Sequence, residues 1–430
     1  MVDHELLYEL YDEFDTETLR AYQEFVDVFP PVDSRVALEH WERANEALER
    51  RKEAIRSSFA AGETLAGIAA RATRDQAFTG LDLYATHGRA VNVLVLDVDE
   101  TLRSAGSTDN EIPRDTLHVL TEYHEAGVPI VICTGQTLEN VKGFTIQGLG
   151  SELVHSGELS IVYEAGTGVF TPGHGSETKQ LLYDDLDESI RETFENVRAR
   201  ALTEAPPELR RGCHLQGNEF NVTMKPNYEI GSPRARELID EALVYLIDLL
   251  ADSVAERVGV GGEAGRNGDG GDGSADSSED VASLTRAFYA EGDPEIRGVL
   301  EREGAFPSVD PPLDTSSLAD VLSRIDVGYY QADAAEISSL ELNKVVGVER
   351  AFEVLGIEDP FALVMGDSKS DLRVMEWIDA TDAGIAAAPD HASKAVLEHV
   401  LSTDALVFDE GRSADVLRTI DAMNVFAGLE

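Results

Sequence analysis

The chain has 430 residues, 43% of them hydrophobic, with 82 acidic against 35 basic side chains and a net charge of −47. That length is enough for two or three domains with a sizeable core, while so acidic a surface repels nucleic-acid phosphates and anionic lipid and excludes both as partners. No apolar run approaches a membrane span, and the opening MVDHELLYEL lacks the basic-then-apolar layout of a signal peptide, so a cytoplasmic protein is expected.

Only 7 of the basic residues are lysines. The acid excess reads as a halophilic surface suited to strong salt, where at about 1 M the Debye length is only about 3 Å and like charges hardly interact. The two cysteines, Cys133 and Cys213, have no partner at metal-ligand spacing. Cys133 lies in an apolar run and reads as packing.

In chain order, residues 1–88 read as a helical extension. A helix is expected over 16–28, and Pro30-Pro31 separates it from a second. Leu38, Trp41, Leu48, Ile55 and Phe59 recur at helical steps. This stripe calls for a partner surface, on the main body or on a second copy of the chain as a homo-oligomer. From Val91 the pattern changes to strands at 91–96 and 128–133 alternating with helices at 114–126 and 138–144. Continuous apolar strands between helices imply a parallel sheet covered on both faces. Residues 165–338 interrupt it with helices at 186–200 and 234–250 and strands at 219–224 and 326–331. A Gly/Asp-rich stretch at 259–280 has the composition of a mobile loop. Alternation resumes with a helix at 344–355, a strand at 361–365, a helix from 370 and the apolar segment 383–388. The fold class expected is α/β. A Rossmann-like parallel-sheet core (89–164 and 339–430) is split by an inserted α+β domain (165–338) and preceded by the helical extension.

Four segments carry chemistry. The strand VLVL ends in Asp97-Val-Asp99-Glu-Thr101; acids two residues apart face one side of a strand, and burying them there requires a cation or a reacting group. A nucleophilic carboxylate beside a second, protonatable one is a catalytic pairing. The second strand ends in Thr134-Gly135, a small hydroxyl and an unhindered backbone where parallel sheets bind ligands; taken alone, Thr134 reads as a helix cap. Lys344 opens a helix, against the dipole, which suggests an anionic partner; taken alone, it reads as a solvent-facing lysine, the more common case. Gly366-Asp367-Ser-Lys-Ser-Asp371 follows an apolar strand. Its two acids either converge on a hard cation or serve as an N-cap and a first-turn acid.

The order and spacing of these segments resemble the haloacid dehalogenase superfamily of phosphohydrolases, and the insertion resembles its large-cap (C2) subgroup. The resemblance covers 91–420. It implies that Asp97 attacks phosphorus to form an aspartyl phosphate, that Asp99 is the general acid and then base, and that Thr134, Gly135 and Lys344 hold the phosphoryl oxygens. Mg²⁺ would be bound by Asp97, Asp99 (through its backbone carbonyl), Asp367 and Asp371. The implied activity is Mg²⁺-dependent hydrolysis of a small phosphorylated metabolite, a sugar phosphate or a phosphoglycolate-like acid, under a closing cap. A phosphomutase and a non-catalytic scaffold are the rival readings. Three positions depart from the common pattern: Glu100 where Gly is frequent, Gln136 where Arg is frequent, and Ser370 where Asn is common. His214, Asn218, Asn221 and Lys225, in the insertion, are candidates for substrate selection and read equally as surface residues.

Overall fold

The structure, a computed structural model, describes residues 3–28, 34–103, 112–217, 220–258, 274–307 and 316–429. The strands are β1 (Val93–Leu96), β2 (Ile130–Cys133), β3 (Leu159–Tyr163), β4 (Gly168–Phe170), β5 (Lys179–Leu181), β6 (Cys213–Gln216), β7 (Asn221–Pro226), β8 (Ile325–Tyr330), β9 (Ala334–Ser339), β10 (Ala362–Met365), β11 (Gly384–Pro389) and β12 (Leu406–Phe408). The chain forms two compact units, residues 1–180 with 347–430, and residues 181–346.

The first unit is built on an eight-stranded sheet in the order β12-β11-β10-β1-β2-β3-β4-β5. From β12 to β3 the neighbours are parallel, and β4 runs antiparallel to β3. β1, β2 and β10 are buried at every position, as expected of strands with helices on both faces. Leu94, Leu96, Ile130, Ile132, Leu363 and Met365 join one core with Val119, Leu120 and Tyr123 of helix Arg114–Glu125 and Leu417 and Ile420 of helix Ser413–Ala427. Buried polar groups lock the C-terminal helix in place. The Asn424 side chain exchanges two hydrogen bonds with the Val91 backbone (2.7 and 2.9 Å), and Tyr123 Oη donates to the Leu417 carbonyl at 2.7 Å.

The unit boundary corrects the expected division at 164/165. β4 and β5 extend the sheet beyond the antiparallel turn after β3, so the chain stays with the first unit to residue 180. The helix expected over 138–144 runs on through Gly143 and Gly148 to a kink at Gly150, which leaves helical geometry at φ 82°, and resumes to Val154.

The N-terminal helices belong to the same unit. Leu7, Leu10, Leu19, Leu48, Ile55 and Leu65 form a second core with Ala422 and Phe426 of the C-terminal helix. The partner of the amphipathic stripe is thus, for Leu48 and Ile55, the chain's own body. Leu38, at its start, is 51% exposed.

The second unit holds a four-stranded antiparallel sheet in the order β6-β7-β9-β8. β8 alternates buried and half-buried residues, the period-2 pattern of a sheet with one face on a core. Helices Glu188–Arg200 and Pro233–Val258 pack against it. Asp240, buried among them, accepts from Arg302 Nη2 at 3.0 Å and from the Tyr329 hydroxyl, so the buried carboxylate is paired. Of the stretch expected as a mobile loop, 259–273 lies outside the described residues, and 274–280 instead opens the helix Ser274–Gly292. Acids in a first helical turn are favourable, and the low hydrophobicity of 274–280 does not oppose a helix.

Candidate active site

The site forms at the C-terminal edge of β1 and its two neighbours. Leu96 is level with Ile132 of β2 and Met365 of β10, so the residues that follow each strand emerge side by side. The chain proceeds from β1 to β2 and β3 on one side, while β10 and β11 lie on the other. The crevice between β1 and β10 is therefore a topological switch point, where open α/β sheets bind ligands.

Asp97 continues the ladder, its amide donating to the Met365 carbonyl at 2.9 Å, and it is 6% exposed. Carboxylate oxygens of Asp97, Asp367 and Asp371 all lie within 4.8 Å of one another. Gly366 makes this approach feasible, since a Cβ there would stand 2.3 Å from the Asp371 Cβ. Three carboxylates this close, two of them buried, repel strongly unless a cation sits among them. All-oxygen donors at this spacing suit a hard divalent ion such as Mg²⁺.

The alternative of plain helix capping divides between the two acids. The N-cap of helix Lys369–Ala380 is Ser368, not Asp367, so capping does not account for Asp367. Asp371 does complete a capping box, with its Oδ2 accepting from the Ser368 amide (3.1 Å) and hydroxyl (2.6 Å). Ser370, the departure in this motif, shares a 2.8 Å hydroxyl contact with Ser368.

Asp99 is directed elsewhere. Its Oδ1 accepts from Arg103 Nε (3.0 Å) and Nη2 (2.8 Å), and its Oδ2 from Gln136 Nε2 at 2.5 Å. Its side chain lies outside the triad of converging carboxylates. Arg103 is 5% exposed, so its guanidinium is a fixed anchor. Sequence reading missed Arg103, although its i+4 spacing from Asp99 is a salt-bridge signal. It noted Gln136 only as a departure. Glu100 sits at φ 60°, in the left-handed region that glycine occupies without strain; this explains why a glycine there is favourable. Its carboxylate lies 3.5 Å from His391 Nε2.

Thr134 is 1% exposed, and its hydroxyl accepts from the Gln136 amide at 3.1 Å. It does not cap the following helix, whose N-cap is Thr137. A Cβ added to Gly135 would meet nothing within 4 Å, so the space over that backbone is open. Thr101 is 2% exposed and its hydroxyl has no hydrogen-bond partner.

Lys344 is the last predicted site residue. It belongs to the second unit and opens the helix Lys344–Leu355, through which the chain returns to the first. It is 3% exposed, a degree of burial that lysine tolerates only with anionic company. Asn343 caps this helix, accepting from the Val345 and Val346 amides at 2.8 and 3.2 Å, so Lys344 has no capping role.

The substrate-selection candidates, in the second unit, are engaged by neighbours. His214 Nδ1 is 2.8 Å from Asn227 Oδ1, Asn221 Oδ1 accepts from Thr223, and Lys225 Nζ is 3.3 Å from Asp333. Asn218 lies outside the described residues.

No family model matches the chain, and no curated protein matches it. Among solved structures it is similar to a subclass IIB haloacid dehalogenase sugar phosphatase, BT4131 (16% identity, 78% of this chain and 99% of that one, TM-score 0.41). It is also similar to the sucrose-phosphatase from Synechocystis sp. PCC6803, solved with sucrose and phosphate (11%, 78% and 99%, TM-score 0.43). A third is a haloacid dehalogenase-like hydrolase from Bacteroides thetaiotaomicron (13%, 77% and 98%, TM-score 0.38). These likenesses are distant, and the functional reading rests on the geometry of the chain's own carboxylates.

Proposed function

We propose that the chain is a Mg²⁺-dependent phosphoric monoester hydrolase of the haloacid dehalogenase superfamily, acting on a small phosphorylated metabolite. The observation that carries this reading is the convergence of Asp97, Asp367 and Asp371 at the switch point of the sheet. Order and spacing of the four motifs support the same assignment.

In this reading Asp97, Asp367 and Asp371 hold Mg²⁺, with the backbone carbonyl of Asp99 as a further ligand. The ion, when bound, offsets the charge of the phosphoryl group beside the carboxylates. An Asp97 carboxylate oxygen attacks phosphorus, the bond to the ester oxygen breaks, and an aspartyl phosphate forms. Asp99 gives a proton to the departing oxygen and later takes one from the water that attacks the phosphoenzyme, releasing phosphate and restoring Asp97. Arg103 fixes one oxygen of Asp99, and the amide of Gln136 is displaced from the other as the leaving group arrives. The Thr134 hydroxyl and Lys344 bind the phosphoryl oxygens. Compact substrates, a sugar phosphate or a small phospho-acid, are the class expected.

A phosphate-release screen over phosphorylated metabolites, with Mg²⁺ or with chelator in strong salt, tests this. Release of inorganic phosphate that stops on chelation is the expected result. Isomerised substrate without release would replace hydrolysis by a mutase. No turnover, with no Mg²⁺ binding by calorimetry, would leave a scaffold.

A further inference from the structure

A second cation-binding geometry lies away from this edge, within the first unit. Helix Thr16–Asp27 of the N-terminal layer ends beside helix Arg114–Glu125 of the sheet-covering layer. His118 and Glu122, four residues apart on one helical face, meet Asp27 there, and one ligand atom from each lies within 4.8 Å of the others.

The three side chains face one another at distances somewhat longer than a short hydrogen bond. His118 Nε2 is 3.6 Å from Asp27 Oδ2 and 3.8 Å from Glu122 Oε1. Both exceed hydrogen-bond length, and Nε2 is buried with no hydrogen-bond partner. Around a tetrahedral ion with bonds of about 2.0–2.2 Å, neighbouring ligand atoms stand about 3.3–3.6 Å apart; the Asp27 spacing is at the upper end of that range and the Glu122 spacing 0.2 Å beyond it. A second buried orphan lines the same cleft. Gln23 donates its amide nitrogen to Asp27 Oδ2 at 2.6 Å, which leaves its Oε1 with no partner. The cleft, about 160 Å³, has room for water as a remaining ligand.

We propose that Asp27, His118 and Glu122 bind a divalent transition metal of the zinc class, which ties the N-terminal helices to the α/β body. An imidazole nitrogen with two carboxylates favours such a metal over Mg²⁺ or Ca²⁺, which take oxygen ligands. The two carboxylates balance the ion's charge. Gln23 and Arg71 hold the carboxylate oxygens that face His118, Asp27 Oδ2 at 2.6 Å and Glu122 Oε1 at 3.3 Å, and would fix their orientation toward the ion. Arg20, Arg412 and Arg418 also line the cleft, with Glu24 and Asp415, so the site needs both ligand carboxylates to admit a cation.

The test is calorimetric titration of chelator-treated full-length protein with Zn²⁺, in a large excess of Mg²⁺ so that the all-oxygen site is filled. One equivalent of zinc is expected in the wild type and in Asp97→Asn, with affinity at least about tenfold lower in Asp27→Asn and His118→Gln. Zinc should raise the melting temperature of the wild type. Visible absorption of the Co²⁺-substituted wild type reports nitrogen-containing, low-coordinate ligation without any variant. Zinc uptake undiminished in both variants, or no uptake and no Co²⁺ spectrum in the wild type, overturns the proposal and leaves a protonated His118 paired with two carboxylates.

Discussion

At the scale of single residues, the four motifs were legible because each ends an apolar strand or opens a helix, and three of them, after β1, β2 and β10, emerge side by side at one sheet edge. What was not legible is how each carboxyl is used. Asp371 both caps its helix and faces the triad, whereas Asp367 faces the triad without being the N-cap, and no spacing rule separates the two. The difference has a measurable consequence. In chelator, Asp367→Ala removes one of three mutually repelling carboxylates without removing a cap, so it should cost less stability than Asp371→Ala. Asp371→Ala should cost about 1 kcal/mol through the lost cap, and both should lose Mg²⁺-dependent turnover; denaturant unfolding of the two variants decides this. Glu100 offers a second case. Its φ of 60° costs an L-residue about 1 kcal/mol, and its half-buried pairing with His391 at 3.5 Å offsets only part of that. Glu100→Gly should therefore be as stable as wild type or up to about 1 kcal/mol more so, and a clear loss would contradict the strain argument. Cys133, read as packing, is buried, and so is Cys213. Burial pushes the Cys213 thiol up to about 11, and Cys133 is 2% exposed. Neither should react with a thiol reagent at pH 8 until the protein is unfolded, and stoichiometric labelling of native protein would contradict this.

Among elements, those with strong periodicity were found near their true ends. The helix Lys344–Leu355 lies where its pattern places it, and the buried strands β1, β2 and β10 start within two residues of expectation. The missed elements were short or pattern-poor. β4 and β5 have three residues each, too few for a period to register, and they moved the unit boundary to residue 180. Long-range packing was also invisible. Nothing in residues 35–58 says that Leu48 and Ile55 share a core with Phe426, more than 350 positions further along the chain. That contact ties the N-terminal helices to the C-terminal one, so Phe426→Ala, at 2% exposure, should cost about 3–5 kcal/mol. A loss under about 1 kcal/mol in urea unfolding would mean that the two layers are energetically separate.

For the whole molecule, charge dominates. A net charge of −47 makes the compact state self-repelling, and the few lysines are spread over the chain. Raising KCl from low to molar concentration should therefore raise the melting temperature, and a flat or falling curve would remove the salt-adapted reading of the composition. The same negative field sharpens the functional claim, because a phosphate anion reaches this edge only where the field is locally reversed. The most direct measurement is hydrolysis of p-nitrophenyl phosphate with Mg²⁺ in strong salt by wild type and Asp97→Asn, both checked for native circular dichroism. The account predicts turnover by the wild type and a loss of at least about 10³-fold in the variant. Asp97→Asn hydrolysing the ester as fast as wild type would contradict it.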